Sequence, residues 1–116
     1  MITGLHAILF TDDADGTRGF LRDTLGLESV DAGHGWLIFA GPPSELAAHP
    51  ADGQPHHELY LMCDDIEATV AELREKGATF SEEIVERPWG RSTTLELPGG
   101  GQLPLYEPSH PSPLAS

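Results

Sequence analysis

His57-Glu58-Leu59-Tyr60-Leu61-Met62-Cys63-Asp64-Asp65-Ile66-Glu67-Ala68-Thr69-Val70-Ala71-Glu72-Leu73-Arg74-Glu75-Lys76-Gly77 decides how the rest of the 116-residue chain is read. An apolar run of strand length leads to Asp64 and Asp65, which stand where a helix needs its N-cap. Ile66, Val70 and Leu73 then recur at helical spacing. Glu72 and Lys76 form an i,i+4 pair in its favourable order, and Gly77 can take the left-handed conformation that closes the helix. The stretch predicts strand, tight turn, helix.

The same unit occurs earlier. His6 opens the run Ala7-Ile8-Leu9-Phe10-Thr11, and Asp12-Asp13 begins six residues after His6, just as Asp64-Asp65 begins six residues after Glu58. A first helix, roughly Gly16 to Leu25, presents Phe20, Leu21 and Leu25 on one face and stops at Gly26. Glu58 stands 52 residues after His6, and Gly77 stands 51 after Gly26. The two registers agree to one residue, as an internal duplication requires, and they pair His6 with Glu58.

Working outward, Ile2 to Phe10 reads as the first strand. Glu28 to Asp31 and Trp36 to Ala40 read as a hairpin turning through Ala32-Gly33-His34-Gly35, and Leu46 to His49 as a short fourth strand. Pro50 to Pro55 is a linker rich in turn residues. The second half follows with strand His57 to Cys63, helix Ile66 to Lys76, and strands Thr79 to Ile84, Ser92 to Leu97 and Gln102 to Tyr106. The expected fold class is α+β: two βαβββ modules in one domain spanning 1–116, their sheets curved around a central cleft. Module 1 covers about 1–50, module 2 about 56–108, and 109–116 is a flexible, proline-rich tail. Sites in such folds lie where the inner strand faces converge.

Nineteen acidic residues against six basic ones give a net charge of −13. That balance repels phosphate backbones and anionic lipid, so neither nucleic acid nor a membrane surface is an expected partner. No apolar run approaches the roughly 20 residues of a membrane span, and no basic, apolar leader precedes the first strand, so a cytoplasmic location is expected. Cys63, the only cysteine, ends an apolar strand and reads as a buried, inert thiol.

The duplication resembles the vicinal oxygen chelate superfamily, which includes glyoxalase I, fosfomycin resistance proteins, extradiol dioxygenases and bleomycin resistance proteins. The residues carrying the resemblance are His6, Asp12-Asp13, Phe20, Asp23 to Leu27, the Cys63-Asp64-Asp65-Ile66-Glu67 turn and the Leu97-Pro98-Gly99-Gly100-Gly101 bend, over about Leu5 to Glu107. It implies a divalent metal held by ligands on the first, fourth, fifth and eighth strands. Those positions fall on His6, His49, Glu58 and Pro104, and proline has no ligand atom. His6, His49 and Glu58 remain as two imidazoles and a carboxylate, the inventory of a facial triad for iron, manganese, nickel or zinc.

The implied function is a metal-dependent enzyme of glyoxalase or dioxygenase type, in which the ion chelates vicinal oxygens of a small substrate. Glu58, or Glu107 standing in for the lost eighth-strand glutamate, would be its catalytic base. Three residues past Pro104, Glu107 falls on the opposite sheet face unless a bulge intervenes. The alternative is a metal-free protein of bleomycin resistance type that sequesters an antibiotic-like ligand in an acidic cleft. A partner role without any small ligand is the third reading.

Each candidate also has a purely structural reading. His6 can be a packed strand histidine, His49 can begin a surface turn, and Glu58 can pair with Arg91 or with protonated His6. His56 shares the face of Glu58 by strand alternation and is a reserve ligand, whereas His57 is expected on the helix side. His34 and His110 read as solvated. Trp89, Tyr60 and Tyr106 are expected to line the substrate pocket, and Trp36 to pack in the core. The resemblance further implies a homodimer, with each cleft built within one chain or across two.

Overall fold

The computed structural model describes residues 6–45 and 47–114. Its second half is the βαβββ unit anticipated from the sequence: β3 (Leu61–Met62), α2 (Ile66–Glu75), β4 (Val85–Arg87), β5 (Gly90–Glu96) and β6 (Gln102–Pro108). The four strands form one sheet in the order β3-β6-β5-β4, with β3 parallel to β6 and the remaining pairs antiparallel. Helix α2 begins where its chemistry places it. Asp65 Oδ1 accepts the backbone N–H of Ala68 at 3.1 Å, and Gly77 ends the helix at φ +93°.

Ile66, Val70 and Leu73 are buried against Leu95, Leu103 and Leu105 of the sheet. Each such side chain withdrawn from water contributes roughly 1.5–3 kcal/mol, so this helix-on-sheet layer is the main source of stability.

The first half is less complete. Helix α1 (Ala14–Gly19) continues into a wider, π-helical stretch, Phe20–Thr24, where the Leu25 N–H donates five residues back to the Phe20 carbonyl. Asp13 caps it as Asp65 caps α2, accepting from Gly16 N–H at 2.9 Å. Strands β1 (Ser29–Asp31) and β2 (Leu37–Phe39) pair in the predicted hairpin, and Gly33, His34 and Gly35 turn it with positive φ throughout. Thr11 and buried Thr17 place their hydroxyls 3.2 and 2.9 Å from the Pro98 carbonyl, and Leu9, Phe20 and Leu25 pack on the core of the second half. The two modules therefore share one core.

Several sequence expectations are corrected. Of the first strand, 6–10 carries no ladder, with Ile8 and Phe10 exposed, while 1–5 lies outside the described residues. Of the fourth, Leu46 lies outside the described residues and 47–49 is irregular. Pro42, Pro43 and Pro50 flank that segment and withhold the N–H groups a ladder needs. The strand expected over Thr79 to Ile84 is reduced to a single bridge from Phe80 to Leu95, and the paired segment lies just beyond it, at β4. Trp36 is not in the core. It is 67% exposed, with the Arg18 guanidinium 5.1 Å from its ring. The tail is tied at its start, where Ser109 N–H donates to the Trp89 carbonyl at 3.1 Å.

Candidate functional site

Cross-strand pairing sorts the sheet into two faces. Leu61, Thr93 and Leu105 lie in register on the α2 side, whereas Met62, Val85, Ser92 and Tyr106 lie in register on the other, with Thr94 opposite Pro104 along the same face. Among the described residues no helix lies over this second face. Two adjoining open hollows of about 320 and 300 Å³ share Tyr60 and Pro104, the second on this face and the first at the β6 edge, where core-facing Leu103 also lines it. Leu9, His57 and Glu58 rim the first, and Arg87, Trp89, Ser92 and Thr94 rim the second.

Tyr60, Trp89 and Tyr106 meet here as a three-sided cluster. Their ring centroids are 5.8, 5.6 and 5.3 Å apart at interplanar angles of 77–78°, so each pair is edge-to-face. The tight β4–β5 turn supplies Trp89, the approach to β3 supplies Tyr60, and β6 supplies Tyr106. Tyr60 and Trp89 remain 41% and 38% exposed, leaving aromatic surface for a ligand. Burial, and then the nearby Glu58 carboxylate, raises the Tyr60 phenol pKa; burial and then Glu45 raise that of Tyr106. Both phenols therefore keep their protons at neutral pH and act as donors.

The metal candidates are placed as follows. His6, His49 and Glu58 are all exposed, and among the described residues no three His, Cys, Asp or Glu side chains converge on one point. Glu58 lies 3.4 Å from His56 and 3.5 Å from the Tyr60 hydroxyl, and Arg91 pairs instead with Glu67 at 2.7 Å and Glu86 at 3.0 Å. His57 contributes to the first hollow rather than to the helix side, because no strand forms at 57–60 to enforce alternation. Glu107 faces α2, where its Oε1 accepts the Ile66 N–H at 3.0 Å. Pro104, at the eighth-strand ligand position, sits between the hollows without a donor atom. The donors of one chain thus do not form the expected metal site.

Cys63 is half-buried, with Sγ 3.6 Å from the Tyr106 carbonyl, and burial raises its thiol pKa. His110, expected to be merely solvated, is bonded. Its Nε2 lies 3.0 Å from the Tyr106 hydroxyl and its Nδ1 2.8 Å from the Pro111 carbonyl. Glu45 comes up beside them, its Oε1 3.8 Å from His110 Nε2. Neither Glu45 nor Arg87 was singled out from the sequence. One stands alone in a proline-rich stretch and the other in a turn, and no local pattern marks either.

The sequence pattern of the Glyoxalase/Bleomycin resistance protein/Dioxygenase superfamily matches residues 4–110. The chain belongs to that superfamily. It is similar to the anthracycline biosynthesis protein DauV of Streptomyces sp. strain C5, at 32% identity over 116 aligned residues covering 93% of this chain and 42% of that protein. The chain thus spans less than half the length of this curated relative. TnmS3, an antibiotic binding protein from Streptomyces sp. CB03234, has a similar structure, with TM-score 0.63 and 26% identity over 94% of this chain and 100% of its own. Lactoylglutathione lyase from Agrobacterium tumefaciens shares the fold, with TM-score 0.65 at 20% identity over 90% of this chain and 92% of its own.

Proposed function

We propose that this superfamily member is a small-molecule binding protein that holds a planar, antibiotic-like aromatic ligand on the open face of its four-stranded sheet. The observation that carries this reading is the Tyr60–Trp89–Tyr106 cluster, half-exposed beside two hollows, on a face that no helix covers among the described residues. Aromatic groups fixed by one another lose little entropy on stacking against a flat ligand. The similarity to an antibiotic binding protein and to an anthracycline biosynthesis protein supports the same ligand class. The −13 charge favours a cationic member of that class. A cytoplasmic location accords with a lone, half-buried cysteine.

The test is titration of the protein with an anthracycline, followed by the fluorescence of Trp89 in a Trp36→Phe background. Saturable quenching that weakens about tenfold in Tyr106→Ala, a loss of about 1.4 kcal/mol, is the expected result. Absence of saturable binding, or binding indifferent to Tyr60→Ala and Tyr106→Ala, rejects the reading.

A second reading keeps metal-dependent chemistry, and the observation favouring it is the His56–Glu58 pair, an imidazole and a carboxylate side by side, whose carboxylate residue lines the first hollow. The remaining donors, His6 or His49, would come from a partner chain in a homodimer. Metal content of protein purified without a tag or chelator tests it. About one ion per chain, lost in His6→Ala and Glu58→Ala, supports the metal reading, and no retained iron, manganese, nickel or zinc after reconstitution removes it.

A further inference from the structure

Glu45 is out of place as a surface carboxylate. Its side chain is 16% exposed, and among the described residues its Oε2 is buried with no hydrogen-bond partner. The adjacent histidine does not supply one. The Pro111 carbonyl can only accept, so in the neutral ring the His110 proton sits on Nδ1, and Nε2 is left to accept from the Tyr106 hydroxyl. At 3.8 Å, Glu45 Oε1 lies beyond hydrogen-bond distance of that nitrogen. A carboxylate oxygen such as Oε2, withdrawn from water without a donor, is unfavourable, and a chain of charge −13 deepens the need for positive charge there.

The position of this carboxylate gives the need a direction. The Tyr106 hydroxyl and His110 connect Glu45 to the edge of the aromatic cluster, since the Tyr106 ring is itself one side of the Tyr60–Trp89–Tyr106 triangle. We propose that Glu45 receives a basic amino group of the ligand whose planar part lies on Tyr60, Trp89 and Tyr106. This inference rests on the ligand-binding reading above and narrows it to flat aromatics bearing an amine, such as a polycyclic quinone carrying an amino sugar. The ammonium group supplies donors to Oε1 and Oε2 and cancels the carboxylate charge.

The experiment compares an anthracycline bearing its free amine with the same compound N-acetylated, both titrated against full-chain wild-type protein, Glu45→Gln and Glu58→Gln. Wild type is expected to prefer the free amine by about ten- to a hundredfold, the scale of a charge-assisted hydrogen bond. Glu45→Gln is expected to lose that preference while binding the N-acetylated compound as wild type does, which also shows that the variant is folded. A preference that survives in Glu45→Gln, or that disappears in Glu58→Gln instead, overturns the assignment but leaves the stacking site standing. Failure of both compounds to bind wild type overturns the stacking site and this inference together.

Discussion

Gly99 joins the two halves of the protein at a point with no room for a side chain. Its φ is +90°, and a Cβ there would run into the Thr11 hydroxyl and come within 2.8 Å of the Asp13 backbone nitrogen. Gly100 next to it has φ +87° and open space around it. Both substitutions to alanine carry the cost of a left-handed backbone, and only Gly99→Ala adds a clash with the segment that caps α1. Gly99→Ala is therefore expected to destabilise the chain by about 1–3 kcal/mol more than Gly100→Ala in urea unfolding. Equal losses would show that the bend does not bear on α1. His56 offers a second residue-level check. Its bond to the Gln54 carbonyl, and then Glu58, raise its imidazole above the ordinary histidine value. The sign follows: whatever this contact contributes is fully present below the unfolded-state value and lost as pH rises through the raised folded value. An NMR titration should show the raised His56 midpoint move down in Glu58→Gln, and an unmoved midpoint would remove Glu58 as a cause.

The helix α2 and the strands that pack on it were legible because their signals are local and mutually consistent. An apolar run, an acidic cap and a closing glycine all fall within about twenty residues, and Asp65, Ile66, Val70, Leu73 and Gly77 do what their types dictate. Ile2 to Phe10 and Leu46 to His49 carried similar apolar patterns, but a strand needs a hydrogen-bonded neighbour, and pattern alone does not say whether one is at hand. The aromatic members of the candidate site were visible as residue types. Glu45 was not, because only the fold brings the stretch after β2 to Tyr106. Glu107 shows how one parity argument decides a role: three residues past Pro104 on a regular strand, it faces α2 and bonds to the first helical N–H. As an N-terminal acceptor it contributes by hydrogen bonding and by its charge near the positive end of the helix. Glu107→Ala is expected to cost about 1 kcal/mol of stability, and Glu107→Gln, which keeps an acceptor oxygen, distinctly less. If both variants unfold at the wild-type denaturant concentration, Glu107 does not anchor the helix.

The molecule as a whole exposes more surface than a chain of its size should. Its accessible area is 8693 Å², against about 6200 Å² expected for a folded monomer of 12.5 kDa. Its radius of gyration is 15.1 Å, where about 13 Å is expected. The excess includes large apolar side chains of the first half. Phe10 is 91% exposed, Val30 68%, Trp36 67% and Ile8 61%, the first and last on the unladdered segment 6–10 and the others on a two-stranded hairpin. A two-stranded sheet is marginal by itself, so this half needs a cover. The difference of roughly 2500 Å² matches what a large obligate interface removes per subunit. A second copy of the chain is the cover we propose, and its segment 6–10 could then gain the strand partner it lacks here. Two chains of charge −13 repel one another, so apolar burial has to overcome that repulsion, and salt should help by screening it. Sedimentation equilibrium is expected to give twice the chain mass, with the dimer weakening as salt falls. Phe10→Glu and Trp36→Glu should each shift the protein to monomer by placing a charge in the buried patch. A wild type that stays monomeric at tens of micromolar in 0.5 M salt would mean that the exposed apolar residues are met by something other than this chain, and the two-chain metal site would fall with the dimer.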